Sequence, residues 1–171
     1  NLKQRESIFA GTHYLAEINK VLLSIMSYYL SLNDIGVFYC AAAADEQSRS
    51  AIFFGLSGSG KTTLALENNR NIVTNEAISW TESRGMYALE SGVTIKAGSF
   101  KREDPSIASA LQNEMLVENP NINDDGEIVF GSKDKSQNNT YITFPRDNFT
   151  HSIVNSADPN TIIFLVKDAK G

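Results

Sequence analysis

The sequence predicts an α/β fold with a mixed, hairpin-rich β-sheet, and three patterns support this prediction. Apolar side chains recur at helical spacing over residues 12–32, where Thr12 is a candidate N-cap. The apolar strand 51–54 leads directly into a glycine-rich segment, and helix-like sequence follows over residues 61–67. Most of the remaining chain consists of short strand-like segments separated by turn residues.

Length and composition limit the class of protein. The chain has 171 residues, of which 42% are hydrophobic and 20% charged, as in ordinary globular domains. Its formal net charge of −5 provides no general attraction for nucleic acid or for an anionic membrane. Cys40 is the only cysteine, which excludes an internal disulfide and fits a cytoplasmic location. No apolar run is long enough to span a bilayer.

The two ends of the sequence suggest that residues 1–171 are a single domain that is a fragment or a reduced form of a longer protein. The sequence starts at Asn1 rather than at a methionine. Near the other end, the apolar strand 161–166 is expected to lie in the core, together with Phe53 and Phe54.

Further elements are predicted between these ends. We expect a helix over residues 105–115, with Pro105 in its first turn. The turn 124–126 is expected to join strands 116–118 and 127–130 in a hairpin. Other strands are expected at residues 37–43, 71–74 and, as an exposed strand, 141–144, with hairpin-like segments around Trp80 and at residues 86–89 and 93–95.

A phosphate-binding motif follows the strand 51–54. The pattern G-x-x-x-x-G-K-[ST] matches residues 55–62, here called the glycine loop: Gly55, Leu56, Ser57, Gly58, Ser59, Gly60, Lys61 and Thr62. Glycines allow such a loop to curl so that its N–H groups point at phosphates. Lys61 would reach the β- and γ-phosphates, and the Thr62 hydroxyl would bind Mg²⁺. The motif therefore predicts a bound nucleoside triphosphate with a divalent metal; the alternative is a glycine-rich turn before a helix.

An enzyme that cleaves a nucleoside triphosphate also needs an acidic residue near the metal. The strand 71–74 is followed by Asn75 and Glu76. Glu76 is the candidate because Asn75 has no carboxylate. The alternative is a solvent-exposed loop glutamate, since glutamate is mostly found at protein surfaces.

Around the glycine loop, the sequence resembles the ATP-dependent phosphoenolpyruvate carboxykinases. The pair Leu56-Ser57 and the preceding Phe53-Phe54, with Thr63 and Leu64 after the motif, are more specific than the motif alone. The likeness covers nearly the whole chain and corresponds to the middle portion of a full-length enzyme. Other matching positions, in chain order, are Gly11, Thr12, His13, Tyr14, Glu17, Lys20, Cys40, Trp80, Glu90, Ser91, Gly92, Lys96, Glu118, Asn119, Asp124, Asp125, Gly126, Asn139, Thr140, Phe144, Pro145, Phe164, Leu165, Asp168, Ala169 and Gly171.

The resemblance implies a carboxykinase-like nucleotide-binding domain that holds ATP with Mg²⁺ beside a Mn²⁺ site. The family reaction converts oxaloacetate and ATP to phosphoenolpyruvate, ADP and CO₂, although the segments that bind oxaloacetate lie outside this chain. By position, Lys20 matches a metal-binding lysine and Glu76 a metal-binding aspartate. Lys96 matches a lysine near the metal loop, so that Lys61 and Lys96 are the implied catalytic lysines. The implied nucleotide site extends from Gly55 through Thr63.

Four positions depart from the family pattern where its chemistry takes place. Tyr39 replaces a metal-binding histidine, and a phenol that stays protonated near neutrality is a poor ligand. Asn75-Glu76 replaces a pair of aspartates. Tyr141 replaces an arginine that handles the transferred phosphoryl group, so the cation that would stabilise the transition state is lost.

Three functions therefore remain open from the sequence. The chain is part of an active carboxykinase, a catalytically degenerate module that still binds a nucleotide or phosphate, or a small kinase of the same broad fold. The kinase hypothesis requires a general base, and the two histidines, His13 and His151, are isolated in the sequence.

Overall fold

The structure is a computed structural model that describes residues 1–12, 14–47, 49–67, 70–97, 110–111, 114–128, 140–148, 155–156 and 158–166. Within these ranges the chain has a mixed α/β architecture with three sheets. The helices are α1 (Leu15–Ser31) and α2 (Lys61–Ala65), with a 3-10 turn at Arg146–Asn148. The strands are β1 (Gly36–Tyr39), β2 (Ala41–Ala44), β3 (Ser50–Gly55), β4 (Asn71–Thr74), β5 (Ala77–Thr81), β6 (Gly85–Ala88), β7 (Gly92–Lys96), β8 (Leu116–Glu118), β9 (Tyr141–Pro145), β10 (Asn155–Ser156) and β11 (Thr161–Leu165).

The sheets differ in composition and direction. The first sheet has the order β11-β3-β2-β4 and is mixed, because β11 runs parallel to β3 while β2 runs antiparallel to both β3 and β4. The second sheet, β1-β5-β6-β10, and the third sheet, β7-β9-β8, contain only antiparallel pairs.

Strand β2 lies in the middle of the molecule and consists of four alanines, each no more than 2% exposed. Successive strand residues point to opposite faces. Ala41 and Ala43 accordingly belong to the core that the first sheet shares with α2 and the third sheet, whereas Ala42 belongs to the core shared with the second sheet. Small side chains at these positions allow a layer to pack closely on each face of β2.

The structure corrects the single sheet that the sequence predicts. The predicted strand 37–43 is divided at Cys40, with β1 in the second sheet and β2 in the first. The Cys40 N–H bonds to the Glu76 carbonyl at 3.0 Å, where the chain passes from one sheet to the other. The strand predicted at 71–74, the hairpin of β5 and β6, and the strand β7 are confirmed.

The predicted burial of strand 161–166 is wrong in part. Among the described residues β11 is at the edge of the first sheet; Ile163 and Leu165 pack on the core, but Ile162 and Phe164 lie on the other face and are exposed. Helix α1 begins at Leu15, and Leu23 is its only buried residue, because the helix packs mainly against β1. Thr12 does not cap it and instead accepts a hydrogen bond from the Tyr14 N–H at 3.1 Å.

The third sheet differs in part from expectation. Strand β8 pairs with β9, and the turn at 124–126 forms and is closed by an Ile122–Ile128 bridge, while residues 129 and 130 of the predicted partner strand lie outside the described residues. Strand β9 is central in the third sheet, so Ile142 and Phe144 are buried instead of exposed.

Most of the predicted helix 105–115 lies outside the described residues. No helix in the described part of the chain has the length and apolar character needed to cross a membrane.

The packing of β2 yields a prediction for Ala42→Val. Valine has the higher strand propensity, but the added methyl groups have no space because Ala42 is completely buried between two layers. We expect the free energy of unfolding to fall by about 1–3 kcal/mol, the usual cost of overpacking, in chemical denaturation. Ala10→Val, at an exposed position, is the control and should change little. A stabilised Ala42→Val chain would contradict this description of the core.

Candidate phosphate and metal site

The candidate site lies at one edge of the first sheet. Because β3 and β4 are both antiparallel to β2, they run parallel to each other, and their carboxyl ends meet at the same edge. The glycine loop begins at the end of β3, and Glu76 follows two residues after β4. The fold of the first sheet thus brings together the two sequence segments that are predicted to bind phosphate and metal.

The glycine loop has the backbone conformation that its glycines permit. Gly58 and Gly60 have φ angles of 77° and 94°, a left-handed region that other residues rarely adopt. Among the described residues, the N–H groups of Ser57, Gly58 and Gly60 have no backbone hydrogen-bond partner. Leu56 is largely exposed at the start of the loop. The loop therefore presents unpaired donors at the start of α2, which carries Thr62 and Thr63 in its first turn.

Gly55 is required for close packing beneath the loop. A Cβ atom at this position would lie 2.5 Å from Ser59 Oγ and 2.8 Å from the Leu165 carbonyl oxygen. Ser59 Oγ is buried and, within the described part of the chain, has no hydrogen-bond partner. A buried hydroxyl of this kind is normally satisfied.

Lys61 bonds to the glycine loop itself. Its ammonium group donates to the carbonyl oxygens of Gly55, at 2.8 Å, and Leu56, at 2.9 Å. An anion at the loop would compete with these carbonyls for the charge. The structure therefore holds the lysine over the loop, within a short side-chain movement of any phosphate bound there.

Glu76 and two lysines form a charge cluster. The Glu76 side chain retains contact with solvent, yet partial burial of its carboxyl raises the pKa, while the nearby ammonium groups of Lys20 and Lys61 oppose this change. Lys20 comes from α1 and also bonds to Glu17 at 2.8 Å, which raises the lysine pKa. Helices α1 and α2 thus bring one cation each to the carboxylate that follows β4.

The third sheet adds Lys96 and Tyr141 on its polar face. They are direct cross-strand partners in β7 and β9. Tyr141 also interacts electrostatically with Lys20. The neighbouring pair along the two strands, Ile95 and Ile142, points to the opposite face and is buried in the core. Because successive strand residues alternate between faces, Lys96 and Tyr141 point away from the core.

Tyr39 and Cys40 differ sharply in environment. Tyr39 ends β1, is 53% exposed and is opposite Ala77, the residue after Glu76. The Cys40 thiol is buried, which raises its pKa to about 12, so that the thiol stays protonated and is a poor nucleophile.

Comparison with known proteins identifies the family. A family model described as phosphoenolpyruvate carboxykinase matches residues 1–171. The chain belongs to the ATP-dependent phosphoenolpyruvate carboxykinase family. Relatives named phosphoenolpyruvate carboxykinase (ATP), from Staphylococcus aureus strains Newman, N315 and USA300, are each 34% identical over 174 aligned residues. The alignment covers 100% of this chain and 32% of each relative, so the chain spans about a third of their length.

Sequence reasoning did not assign a role to Glu90 or Arg146. The buried Arg146 guanidinium donates to the carbonyls of Val73 and Glu90, and so ties the end of β4 to the segment before β7. Glu90 Oε1 accepts a hydrogen bond from Asn19 Nδ2 at 3.2 Å. Asn19 directly precedes Lys20 in α1. Its contact with Glu90, 71 residues later in the chain, becomes visible only once α1 is packed against the sheets. His13 and His151 lie outside the described residues.

The pKa of Glu90 is raised to about 7, first by burial of the carboxyl and then by the nearby Glu76 carboxylate, while Arg146 acts in the opposite direction. The folded chain therefore holds this proton more tightly than the unfolded chain, where a glutamate titrates near its ordinary pKa of about 4.3. The stability contributed by protonated Glu90 is fully present below the unfolded pKa and is lost as the pH rises through about 7.

This linkage predicts the behaviour of Glu90→Gln, which cannot ionise. Between about pH 5 and about pH 8, the free energy of unfolding of the wild-type chain should fall by about 1–3 kcal/mol relative to the variant. Chemical denaturation across this range measures the difference. Glu82→Gln, on the exposed turn after β5, is the matched control and should track the wild type. Parallel pH profiles for Glu90→Gln and the wild type would contradict the assignment.

Proposed function

We propose that this chain is the nucleotide-binding part of an ATP-dependent phosphoenolpyruvate carboxykinase and that it holds ATP with Mg²⁺ at the glycine loop. The observation that carries the proposal is the convergence of the loop, Glu76, Lys20 and Lys61 at one edge of the first sheet. In the complete protein, the reaction would convert oxaloacetate and ATP to phosphoenolpyruvate, ADP and CO₂.

The donor set of the glycine loop fits a polyphosphate. The unpaired N–H groups would donate to phosphate oxygens. Lys61 would exchange its two carbonyl partners for a charged acceptor, which forms a stronger hydrogen bond. Because a loop of this kind recognises phosphates, the preference for adenine would come from elsewhere in the protein.

The metal would depend on the nucleotide. No three His, Cys, Asp or Glu side chains in the described ranges form a cluster that could hold a metal. The Thr62 hydroxyl and phosphate oxygens would therefore bind Mg²⁺ together, with Glu76 accepting hydrogen bonds from its water ligands. When bound, the metal would neutralise charge on the phosphates. A second ion, Mn²⁺, would use Glu76 and Lys20; to bind the metal, Lys20 would have to give up a proton and its bond to Glu17, which raises the lysine pKa. Lys96 would face the transferred phosphate.

A catalytically degenerate module is the second candidate, and Tyr39 and Tyr141 favour it. Both phenols lie next to the charge cluster, Tyr39 beside Ala77 and Tyr141 within electrostatic reach of Lys20. Neither supplies a metal ligand or a cation near neutral pH. This version of the function retains nucleotide binding and loses phosphoryl transfer.

Calorimetric titration of the chain with MgATP tests nucleotide binding, which both candidate functions require. We expect Lys61→Ala to weaken binding by about tenfold to a hundredfold, since a hydrogen bond to a charged group contributes about 1.5–3 kcal/mol. Lys3→Ala, in the exposed N-terminal segment, removes the same charge elsewhere and should bind as the wild type does. Equal affinity in Lys61→Ala, or no binding by the folded wild-type chain, would contradict the proposal for this chain.

A further inference from the structure

Asn75 occupies the position of a family aspartate, yet its side chain is committed to the main chain of β7. It is only 5% exposed. Its Nδ2 donates to the Thr94 carbonyl, and its Oδ1 accepts from the Thr94 N–H at 3.3 Å. One amide thus satisfies both polar groups of a single residue in another sheet.

These two bonds satisfy main-chain groups of β7 that a neighbouring strand would otherwise satisfy. Within the described residues β7 is at an edge of the third sheet, and its only strand partner is β9. Thr94 is opposite Thr143, and their hydroxyls are 2.9 Å apart. Such close side chains are typical of a non-hydrogen-bonded antiparallel pair, whose N–H and C=O groups point away from the partner strand. The Asn75 side-chain amide bonds to the Thr94 N–H and C=O in the way that the main-chain peptide of a neighbouring strand would.

The same turn fixes the main chain of Glu76. The Glu76 N–H donates to Thr74 Oγ1 at 3.1 Å, and its carbonyl accepts from the Cys40 N–H at 3.0 Å. Thr74 is completely buried. With Asn75 bound to β7, residues 74–76 are attached to all three sheets, and the Glu76 carboxylate leaves the turn towards Lys20 and Lys61.

We propose that Asn75 is a positioning residue, whose amide fastens the 74–76 turn to the edge of β7 and thereby holds Glu76 at the metal site. This inference rests on the metal-binding role proposed for Glu76. It requires an amide, because a carboxylate has no donor for the Thr94 carbonyl and would place a negative oxygen against it. Asn75→Asp, which restores the family residue, should therefore weaken the site in this chain.

The experiment measures Mn²⁺ affinity in the presence of ATP by electron paramagnetic resonance, together with amide hydrogen exchange at Thr94. We expect Asn75→Asp to raise the Kd for Mn²⁺ by about threefold to tenfold, the factor that one neutral hydrogen bond is worth. Asn75→Ala, which removes both bonds, should weaken Mn²⁺ binding similarly and accelerate exchange of the Thr94 amide by about tenfold.

Two controls separate this role from general effects. Asn123→Asp adds the same charge at a turn where the asparagine oxygen accepts the N–H groups of Asp125 and Glu127, so that variant should leave Mn²⁺ affinity unchanged. Glu76→Gln should lose Mn²⁺ while Thr94 exchange stays slow.

Tighter Mn²⁺ binding by Asn75→Asp would overturn the proposal and would indicate instead that a metal-binding carboxylate has been lost at position 75. Unchanged Thr94 exchange in Asn75→Ala would overturn the contact itself. If the wild-type chain binds no Mn²⁺ with ATP, the proposed function fails, whereas the exchange measurement still tests the contact between Asn75 and Thr94.

Discussion

The complete burial of β2 on both faces is the constraint on which the site depends. Four alanines leave space for a layer on each side of the first sheet, and β2 in turn separates β3 from β4. Since β2 pairs antiparallel with both neighbours, the glycine loop and the 74–76 turn emerge at the same edge. Larger side chains in β2 would separate the layers and displace both segments that carry the candidate ligands.

The sequence predicts the local features of this site well because each has a short-range physical cause. The glycine motif defines the loop, and the strand before it and the helix after it follow from apolar patterning. The assignment of residues 71–74 to a strand placed Glu76 at a strand end. The family resemblance is confirmed over the whole chain, whereas the roles of the individual site residues stay proposals.

The sequence could not predict features that depend on pairing between distant segments. Nothing local shows that the chain changes sheets at Cys40, or that Phe164 is exposed on β11, which is an edge strand among the described residues. The role of Asn75 is of this kind as well. Comparison with the family pattern alone interprets it as a missing carboxylate, whereas its partner, Thr94, is 19 residues away and in a different sheet. A position that departs from a family pattern can thus have acquired a structural contact as well as lost a ligand.

In the proposed function, one edge of the first sheet brings the glycine loop and Glu76 to the same nucleotide-bound metal. Paramagnetic broadening of backbone amide signals by Mn²⁺ with ATP measures this convergence residue by residue. Amides of the glycine loop and of Glu76 should broaden together, while those of the turn at residues 82–84, at the opposite end of β5 from Glu76, should not. Broadening confined to the loop, or centred on a different part of the chain, would contradict the proposed convergence.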